Sequence, residues 1–349
     1  MRILHLAAGN RWTGAAAPAF AEVEALRAAG VDAHYAYVGG YKLQAKLGHH
    51  DFAHPIIEKA QNPLSFGRTL AALDRMIERH GFDVIHAHLT YDHWLARFAA
   101  RDRDVRVART FHARRVLRTD PFSRSLLRRT ELVFVVNDTF AEAPALQGRP
   151  VVFTPPPIDL GQFSPDGGDA RALQGIDAGT KLVTVIGKLS AGRGFEEALQ
   201  SFAALRRAVT EARMMIIGHG EHRPKLEALT RTLGIEADVV WAGYHEDDLA
   251  EHYRASDLLF FTARGSDEGH RAVLEAMACG VPVATYPVEG IDALVPPEWV
   301  SPDADPEALA NLAANLLSRE PAALRGEAAQ CAQEFGYDRA AERLIQAYA

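Results

Sequence analysis

Short apolar runs alternate with amphipathic stretches along this chain, and the alternation restarts after a proline-rich break, PPPIDLGQFSPDGGD. Before the break, MRILHLAA, VDAHYAYVG, FDVIHAHL, VRVARTFHA, ELVFVVN and VVFTPPP read as strands. PAFAEVEALRAAG and RTLAALDRMIERHG read as helices closed by Gly30 and Gly81. After it, KLVTVIGKLS, ARMMIIGHG, DVVWAGY, DLLFFTA and GVPVATY are strands, and EEALQSFAALRRA, RPKLEALTRTLG, EDDLAEHYRA and HRAVLEAMACG are the helices between them. A strand reaches a parallel neighbour only through a crossover, so strands separated by helices predict parallel βαβ units. The pattern therefore predicts an α/β chain with two domains, over 1–160 and 161–335, linked through a Pro-, Gly- and Asp-rich stretch at about 155–180. A C-terminal surface helix over 336–349 is expected, placed to fold back on the first domain. Ligands of such sheets bind beyond the carboxyl ends of the strands, so the active site is expected in the cleft between the domains.

Composition narrows the class. With 349 residues the chain has room for two domains, and 24% charged and 48% hydrophobic residues are ordinary for a soluble enzyme. No apolar run approaches the ~18 residues of a membrane span. MRILHLAAGNRWTG is too short in its apolar part for a signal peptide and reads as a first strand. Cys279 and Cys331 are the only cysteines, too few for a disulfide framework, so a reducing cytoplasm is expected. The net charge of −7 divides unevenly: residues 1–165 hold 21 Lys and Arg against 16 Asp and Glu, and the remainder 17 against 29. Such asymmetry marks a surface that meets an anionic partner, but it is not basic enough for nucleic acid.

The most chemically specific stretch is GSDEGHRAVLEAMACGVPVAT, residues 265–285. A glycine-bearing loop opening into a helix presents backbone N–H groups and a positive dipole end to an anion. The amides of Gly269, His270 and Arg271 are candidates for a diphosphate. Glu275, about two turns further on, cannot serve the same anion and is assigned to a ribose. Asp267 and Glu268 precede the glycine. Phosphate at the helix start and a polyol beside it suggest a nucleotide sugar.

Lys188 and Arg193, in VIGKLSAGRGFEEAL, flank a small loop after a strand, where cations stabilise a departing diphosphate. Gly218, His219 and Gly220, in IIGHGEHRPKLEAL, read equally as a turn closing a βα unit or as a ligand loop. His86, His88 and His93 lie in VIHAHLTYDHW. On a strand His86 and His88 share a face, with Asp92 and His93 near, and either a metal site or one core and one cleft histidine results. His112, just past a strand, is the sugar-contact candidate. The run ARTFHARRVLRTDPFSRSLLRRTE holds Arg109, Arg114, Arg115, Arg118, Arg124, Arg128 and Arg129 among apolar residues. It reads as a face for anionic lipid, at roughly 1 kcal/mol per basic residue near the surface, as a grip on a phosphorylated acceptor, or as a solvated helix face.

Taken in order, PPPIDLGQFSPD, VIGKLSAGRGFEEALQSF, MMIIGHGEHRPKL, VVWAGYHEDDLAEHYRASDLLFFTA and GSDEGHRAVLEAMACGVPVA resemble the C-terminal half of the retaining, nucleotide-sugar-dependent glycosyltransferases of group 1. The resemblance implies a GT-B fold of two Rossmann-like domains in tandem. It implies that Lys188 and Arg193 grip the donor diphosphate, with the family's two residue types exchanged. It assigns Glu275 to the ribose, Tyr244 and His245 to the passage beside the nucleobase, His112 to the donor sugar, and Gly14, in RWTGAAAP, to the loop lining diphosphate and acceptor. Three departures stand out. The family's first glutamate is Asp267, followed by Glu268 where glycine is common; the usual aspartate between Gly218 and Gly220 is His219; and the N-terminal loop has one glycine instead of two.

The resemblance implies a hexosyltransferase that moves a sugar from a nucleotide-diphosphate donor to an acceptor hydroxyl with retention, in glycan or glycolipid assembly. No metal or other cofactor is expected, since protein cations fill that role. The expected location is cytoplasmic, with peripheral contact at the inner membrane face through Arg114, Arg115, Arg118, Arg124, Arg128 and Arg129. Two rivals share the fold: a nucleotide-sugar epimerase or hydrolase, and a non-catalytic partner subunit, to which the changes at Asp267 and His219 would belong. A dinucleotide oxidoreductase is disfavoured, because no GxGxxG follows the first strand.

Overall fold

The computed structural model describes residues 1–9, 12, 14–60, 62–263 and 270–349. The chain forms two compact units, one from Met1–Pro157 with Phe335–Ala349 and one from Ile158–Glu334.

The first unit runs β1 (Arg2–Ala7), α1 (Ala16–Ala28), β2 (Asp32–Val38), α2 (Tyr41–Leu47), β3 (Ala53–Ile57), α3 (Pro63–His80), β4 (Val84–Ala87), α4 (Thr90–Ala99), β5 (Arg106–Phe111), α5 (Pro121–Leu127), β6 (Leu132–Val135) and β7 (Val152–Phe153). Its strands form one parallel sheet in the order β3-β2-β1-β4-β5-β6-β7. Apolar side chains leave both faces. Ile3, Val23, Leu26, Tyr35 and Phe134 cluster on one side, and Leu4, Leu6, Leu73, Ile85 and Leu95 on the other. A sheet buried on both faces explains why the strands read as continuous apolar runs. Helix α3 begins before the predicted RTLAALDRMIERHG: Asn62 and Ser65 cap each other's backbone amides, and Pro63 takes the first position, where its missing N–H is harmless.

The second unit runs β8 (Lys181–Ile186), α6 (Phe195–Leu205), β9 (Ala212–Ile217), α7 (Arg223–Leu233), β10 (Val239–Gly243), α8 (Leu249–Arg254), β11 (Leu258–Phe261), α9 (Arg271–Ala278), β12 (Val283–Thr285), α10 (Pro306–Ser318) and α11 (Pro321–Ala332). Its sheet is parallel in the order β10-β9-β8-β11-β12. Much of the stretch expected as linker belongs to this unit. Ile158, Phe163, Ala170 and Ile176 are buried, so the proline and glycine there shape a packed turn and not a free tether.

The last helix, α12 (Tyr337–Tyr348), packs on α1 of the first unit. The surface helix expected there has one deeply buried face. Ala340, Leu344 and Tyr348 are inaccessible, and Tyr337 donates from its hydroxyl to Glu24.

Candidate functional site

In the second unit the strand order reverses about β8 and β11, so the loops that follow them diverge and leave room at their carboxyl ends. Lys188 stands directly after β8 there. Its loop lies backbone against backbone on the loop after β9: the Leu189 amide donates to the His219 carbonyl at 3.0 Å, and the His222 amide to the Leu189 carbonyl at 3.0 Å. A Cβ at Gly218 would fall 1.9 Å from the Gly187 carbonyl oxygen, and one at Gly220 would fall 2.0 Å from that of Leu189. Gly218 also has φ +139°, so glycine is required there twice over. The Gly218 amide reaches the Gly243 carbonyl at 2.6 Å, and the Thr262 hydroxyl donates to the Gly194 carbonyl at 2.6 Å. The loops carrying Lys188, Arg193, His219 and Tyr244 and the end of β11 are thus laced together along one sheet edge.

The charges on that edge are accessible. The Lys188 Nζ lies 3.8 Å from Glu221 with both side chains well exposed. Arg193 is half-buried and has no hydrogen-bond or ion-pair partner among the described residues. Tyr244 is 59% exposed, donates to Glu246 at 2.8 Å and meets the ring of exposed His219 edge to face at 5.1 Å. His245 is half-buried with both nitrogens occupied, Nδ1 on Asp248 at 2.9 Å and Nε2 near the Ala242 carbonyl at 2.9 Å. Its ring therefore braces the turn, and Tyr244 with His219 offers the open aromatic surface.

Glu275 is 6% exposed on α9. Arg271, one turn earlier, approaches its Oε1 at 2.7 Å, and the Tyr253 hydroxyl donates to its Oε2 at 3.1 Å. Burial, then the facing carboxylate, push the Tyr253 phenol far above its usual range, so it stays a donor. These two contacts fix the orientation of the carboxylate. His270, just before α9, sits in the left-handed region at φ +49° and donates from Nε2 to the Glu289 carbonyl at 2.8 Å. Asp267, Glu268 and Gly269 lie outside the described residues. Gly14, in the first unit, has φ +64° and open space where a Cβ would stand.

The histidines of the first unit converge differently from the sequence reading. Asp92 caps α4, accepting from the His88 and Leu89 amides at 3.1 and 2.9 Å, and His93 pairs with the Thr130 hydroxyl at 2.8 Å. Neither meets His86. Instead His86 and His88 join His5 of β1, Glu22 of α1 and Tyr348 of α12. His5 Nδ1 lies 2.9 Å from His88 Nε2, and His88 Nδ1 lies 3.0 Å from His112 Nε2. Glu22 Oε2, buried and without a hydrogen-bond partner among the described residues, lies 3.5 Å from His5 Nδ1. Burial raises the Glu22 carboxyl well above its usual range and lowers His5 and His112 to about 3, so desolvation favours the uncharged form of each. The sequence carried one usable signal: His5 within a strand and Glu22 on the buried face of a helix are polar residues at core positions.

The arginine run does not form one surface. Arg109 points inward from β5 and is 2% exposed, with Nε and Nη1 lacking partners among the described residues. It lines a pocket of about 440 Å³ with Arg115, Arg118, Thr90, Ser123 and Phe122. Desolvation draws its pKa down to about 10, still charged at pH 7. Arg114 is half-buried, donates to the Thr139 carbonyl and hydroxyl at 3.0 Å, and covers Phe140, so it is spent inside the fold. Arg115, Arg118, Arg124, Arg128 and Arg129 remain exposed, beside Phe122 at 74% exposure.

Two all-parallel sheets with loops gathered at their carboxyl edges define an α/β protein of the GT-B class. Residues 168–334 match the family Glycosyl transferases group 1, and residues 12–162 match Glycosyltransferase Family 4. The chain belongs to the group 1 glycosyltransferases. The D-inositol 3-phosphate glycosyltransferase of Segniliparus rotundus is 32% identical over 147 residues, covering 40% of this chain and 32% of that protein. The protein of the same name from Actinosynnema mirum is 32% identical over 241 residues, covering 61% and 56%. The chain thus spans about a third to just over half the length of these curated relatives. The structure of Anabaena HepE, solved in complex with UDP, aligns with a TM-score of 0.81 at 19% identity over 99% of both chains. Among the described residues no helix is long and apolar enough to cross a membrane.

Proposed function

We propose that the protein transfers a sugar from a nucleotide-diphosphate donor to an acceptor hydroxyl with retention, in glycan or glycolipid assembly. The observation that carries this reading is the set of loops on the carboxyl edge of the second sheet. They present two cations, Lys188 and Arg193, and an exposed ring pair, Tyr244 and His219, while Tyr253 and Arg271 hold Glu275 oriented on α9. Lys188 and Arg193 neutralise the diphosphate as its bond to the anomeric carbon breaks. Glu275 accepts from the ribose hydroxyls, and Tyr244 with His219 lies beside the base. The acceptor oxygen bonds to the anomeric carbon on the face the diphosphate leaves, and its proton passes to a diphosphate oxygen. No protein nucleophile is required. His112 contacts the donor sugar. Protein cations supply the electrostatic role that a metal fills elsewhere.

The acceptor is assigned an anionic group, because buried Arg109 has unpartnered nitrogens and lines a pocket with Arg115 and Arg118. Exposed Arg124, Arg128 and Arg129 with Phe122 supply a peripheral contact with anionic lipid. The test of the whole reading is a thermal-shift screen with UDP, the nucleotide carried by the Anabaena relative, alongside GDP, ADP, CDP and dTDP and their sugars. A ligand at a hundred times its dissociation constant adds about 2.7 kcal/mol of stability. One nucleotide should stabilise the protein, and Glu275→Ala should abolish the effect. No shift with any of them would favour the non-catalytic partner subunit, and donor turnover without acceptor would favour the epimerase or hydrolase.

A further inference from the structure

A line of hydrogen bonds crosses the core of the first unit. His86 Nε2 meets the Thr110 hydroxyl at 2.7 Å, and His86 Nδ1 meets the Tyr348 hydroxyl at 2.5 Å. That hydroxyl stands 3.4 Å from His5 Nε2. His5 Nδ1 meets His88 Nε2 at 2.9 Å, and His88 Nδ1 meets His112 Nε2 at 3.0 Å. The three inner imidazoles spend both nitrogens in the line. The ring centres of His5 and His88 are 5.1 Å apart, and those of His88 and His112 are 5.3 Å apart. At those separations the facing nitrogens lie nearly on the axis between rings. Their lone pairs point at one another, where a shared cation would need them to converge on a point to one side.

Each link holds one proton. A neutral imidazole carries one N–H, so a ring that donates on one side must accept on the other. Only two arrangements satisfy every link, and they run in opposite directions. A single reversed ring leaves one link with two protons and another with none. Burial keeps the rings neutral: His5 is held down to about 3, and desolvation lowers His86 and His88 well below the ordinary imidazole range. Glu22 lies almost equally far from both ends of the link between His5 and His88, at 3.5 and 3.7 Å, and does not select a direction.

Tyr348 does select one. Its proton lies along the shorter contact, to His86 Nδ1, so His86 donates from Nε2 to Thr110. His5 then donates from Nε2 to the phenol oxygen, His88 from Nε2 to His5, and His112 from Nε2 to His88. We propose that Tyr348, acting through His5 and His88, fixes His112 as the Nε2–H tautomer, leaving Nδ1 as a hydrogen-bond acceptor for a ligand. This rests on the reading above for its use: an acceptor at Nδ1 takes a sugar hydroxyl hydrogen and rejects carbonyl or phosphate oxygens. Tyr348, His5 and His88 are positioning residues, since none of them is assigned a contact with substrate.

The test is the ¹⁵N spectrum of histidine-labelled protein without substrate, in which the two neutral tautomers differ; His112→Gln assigns the signals. Wild type should show His112 with hydrogen on Nε2. Tyr348→Phe removes the directing proton, and the His112 signature should collapse to a mixture of tautomers. Thr110→Val removes the acceptor at the far end and should turn His112 towards the Nδ1–H form. Hydrogen on Nδ1 in wild type, or an unchanged Nε2–H signature in the folded variants, overturns the proposal. If Tyr348→Phe does not fold, wild type and Thr110→Val decide it. Titration with UDP-glucose reads the donor site separately: a displaced His112 signal reports sugar contact whichever tautomer is present.

Discussion

The Tyr348 hydroxyl lies 2.5 Å from His86 Nδ1, which bonds the last turn of α12 to the central strand of the first sheet. Removing that hydroxyl leaves a buried imidazole nitrogen without its partner. Tyr348→Phe should therefore destabilise the protein by about 1–3 kcal/mol, read as a lower urea midpoint at unchanged slope.

Acid should weaken the first unit well above the pH at which its carboxylates usually protonate. Unfolded imidazoles take up protons near pH 6.5, whereas folded His5 and His112 do so only near pH 3, and His86 and His88 are also lowered. The unfolded chain then binds more protons, so their stabilising contribution is complete above pH 6.5 and falls as pH drops from 6.5 towards 3. Each excess proton contributes about 1.4 kcal/mol per pH unit. Glu22, raised by burial, opposes this with one proton, and the histidines outnumber it. Urea midpoints between pH 7 and pH 5 should fall steadily; a flat profile would contradict the neutral cluster.

Gly218→Ala should disrupt the donor-side loops. The added carbon would meet the Gly187 carbonyl at 1.9 Å, and the φ of +139° is unfavourable to any side chain. A cost of about 3 kcal/mol is expected, with loss of nucleotide binding beyond it. Chemical denaturation and calorimetry with UDP measure the two effects.

Glu275→Gln keeps the shape of the side chain while removing its charge. Binding of a nucleoside diphosphate should weaken by about 1.5–3 kcal/mol, the range for hydrogen bonds to a charged group. The variant should fold, because Tyr253 retains an oxygen to bond. Titration calorimetry decides it.

Arg109→Leu tests the pocket of the first unit. Buried Asp92 is the charge that faces Arg109, so the variant loses that compensation and should be less stable than wild type. Inorganic phosphate should raise the melting temperature of wild type and not of the variant. Equal shifts in both would remove the anion assignment.

The sequence disclosed every strand of the second sheet and all of the first but the edge strand β3, because burial on two faces leaves unbroken apolar runs, as in KLVTVIG and ARMMII, and β3 is buried only at its ends. It also placed Lys188 and Gly218 at strand ends, since strand patterns stop at those residues. Helices α10 and α11 are not in the sequence reading, and α5 enters it only as one reading of the arginine run, although Asp120, Asp305 and Glu320 each cap a helix that opens with proline. Their short or alanine-rich faces gave little periodicity. Polar His5 and Glu22 at core positions hint at a buried polar cluster, but their meeting with His88 and Tyr348 is not legible in the sequence. Parallel register sets His5 beside His86, and no local pattern reports which strands become neighbours. The inward direction of Arg109 is not legible in the arginine run, because β5 is buried on both faces and shows no alternation.

The return of α12 makes the first unit discontinuous in sequence, with the whole of the second inserted between Pro157 and Phe335. During synthesis from the N-terminus, the second unit is complete before the first receives Leu344 and Tyr348. The first unit therefore emerges with α1 and α2 on that face of its sheet but without the cover of α12, and a nascent chain stalled before residue 335 leaves the α1 surface under Leu344 and Tyr348 open. A fragment ending at Pro157 lacks the same α12 cover.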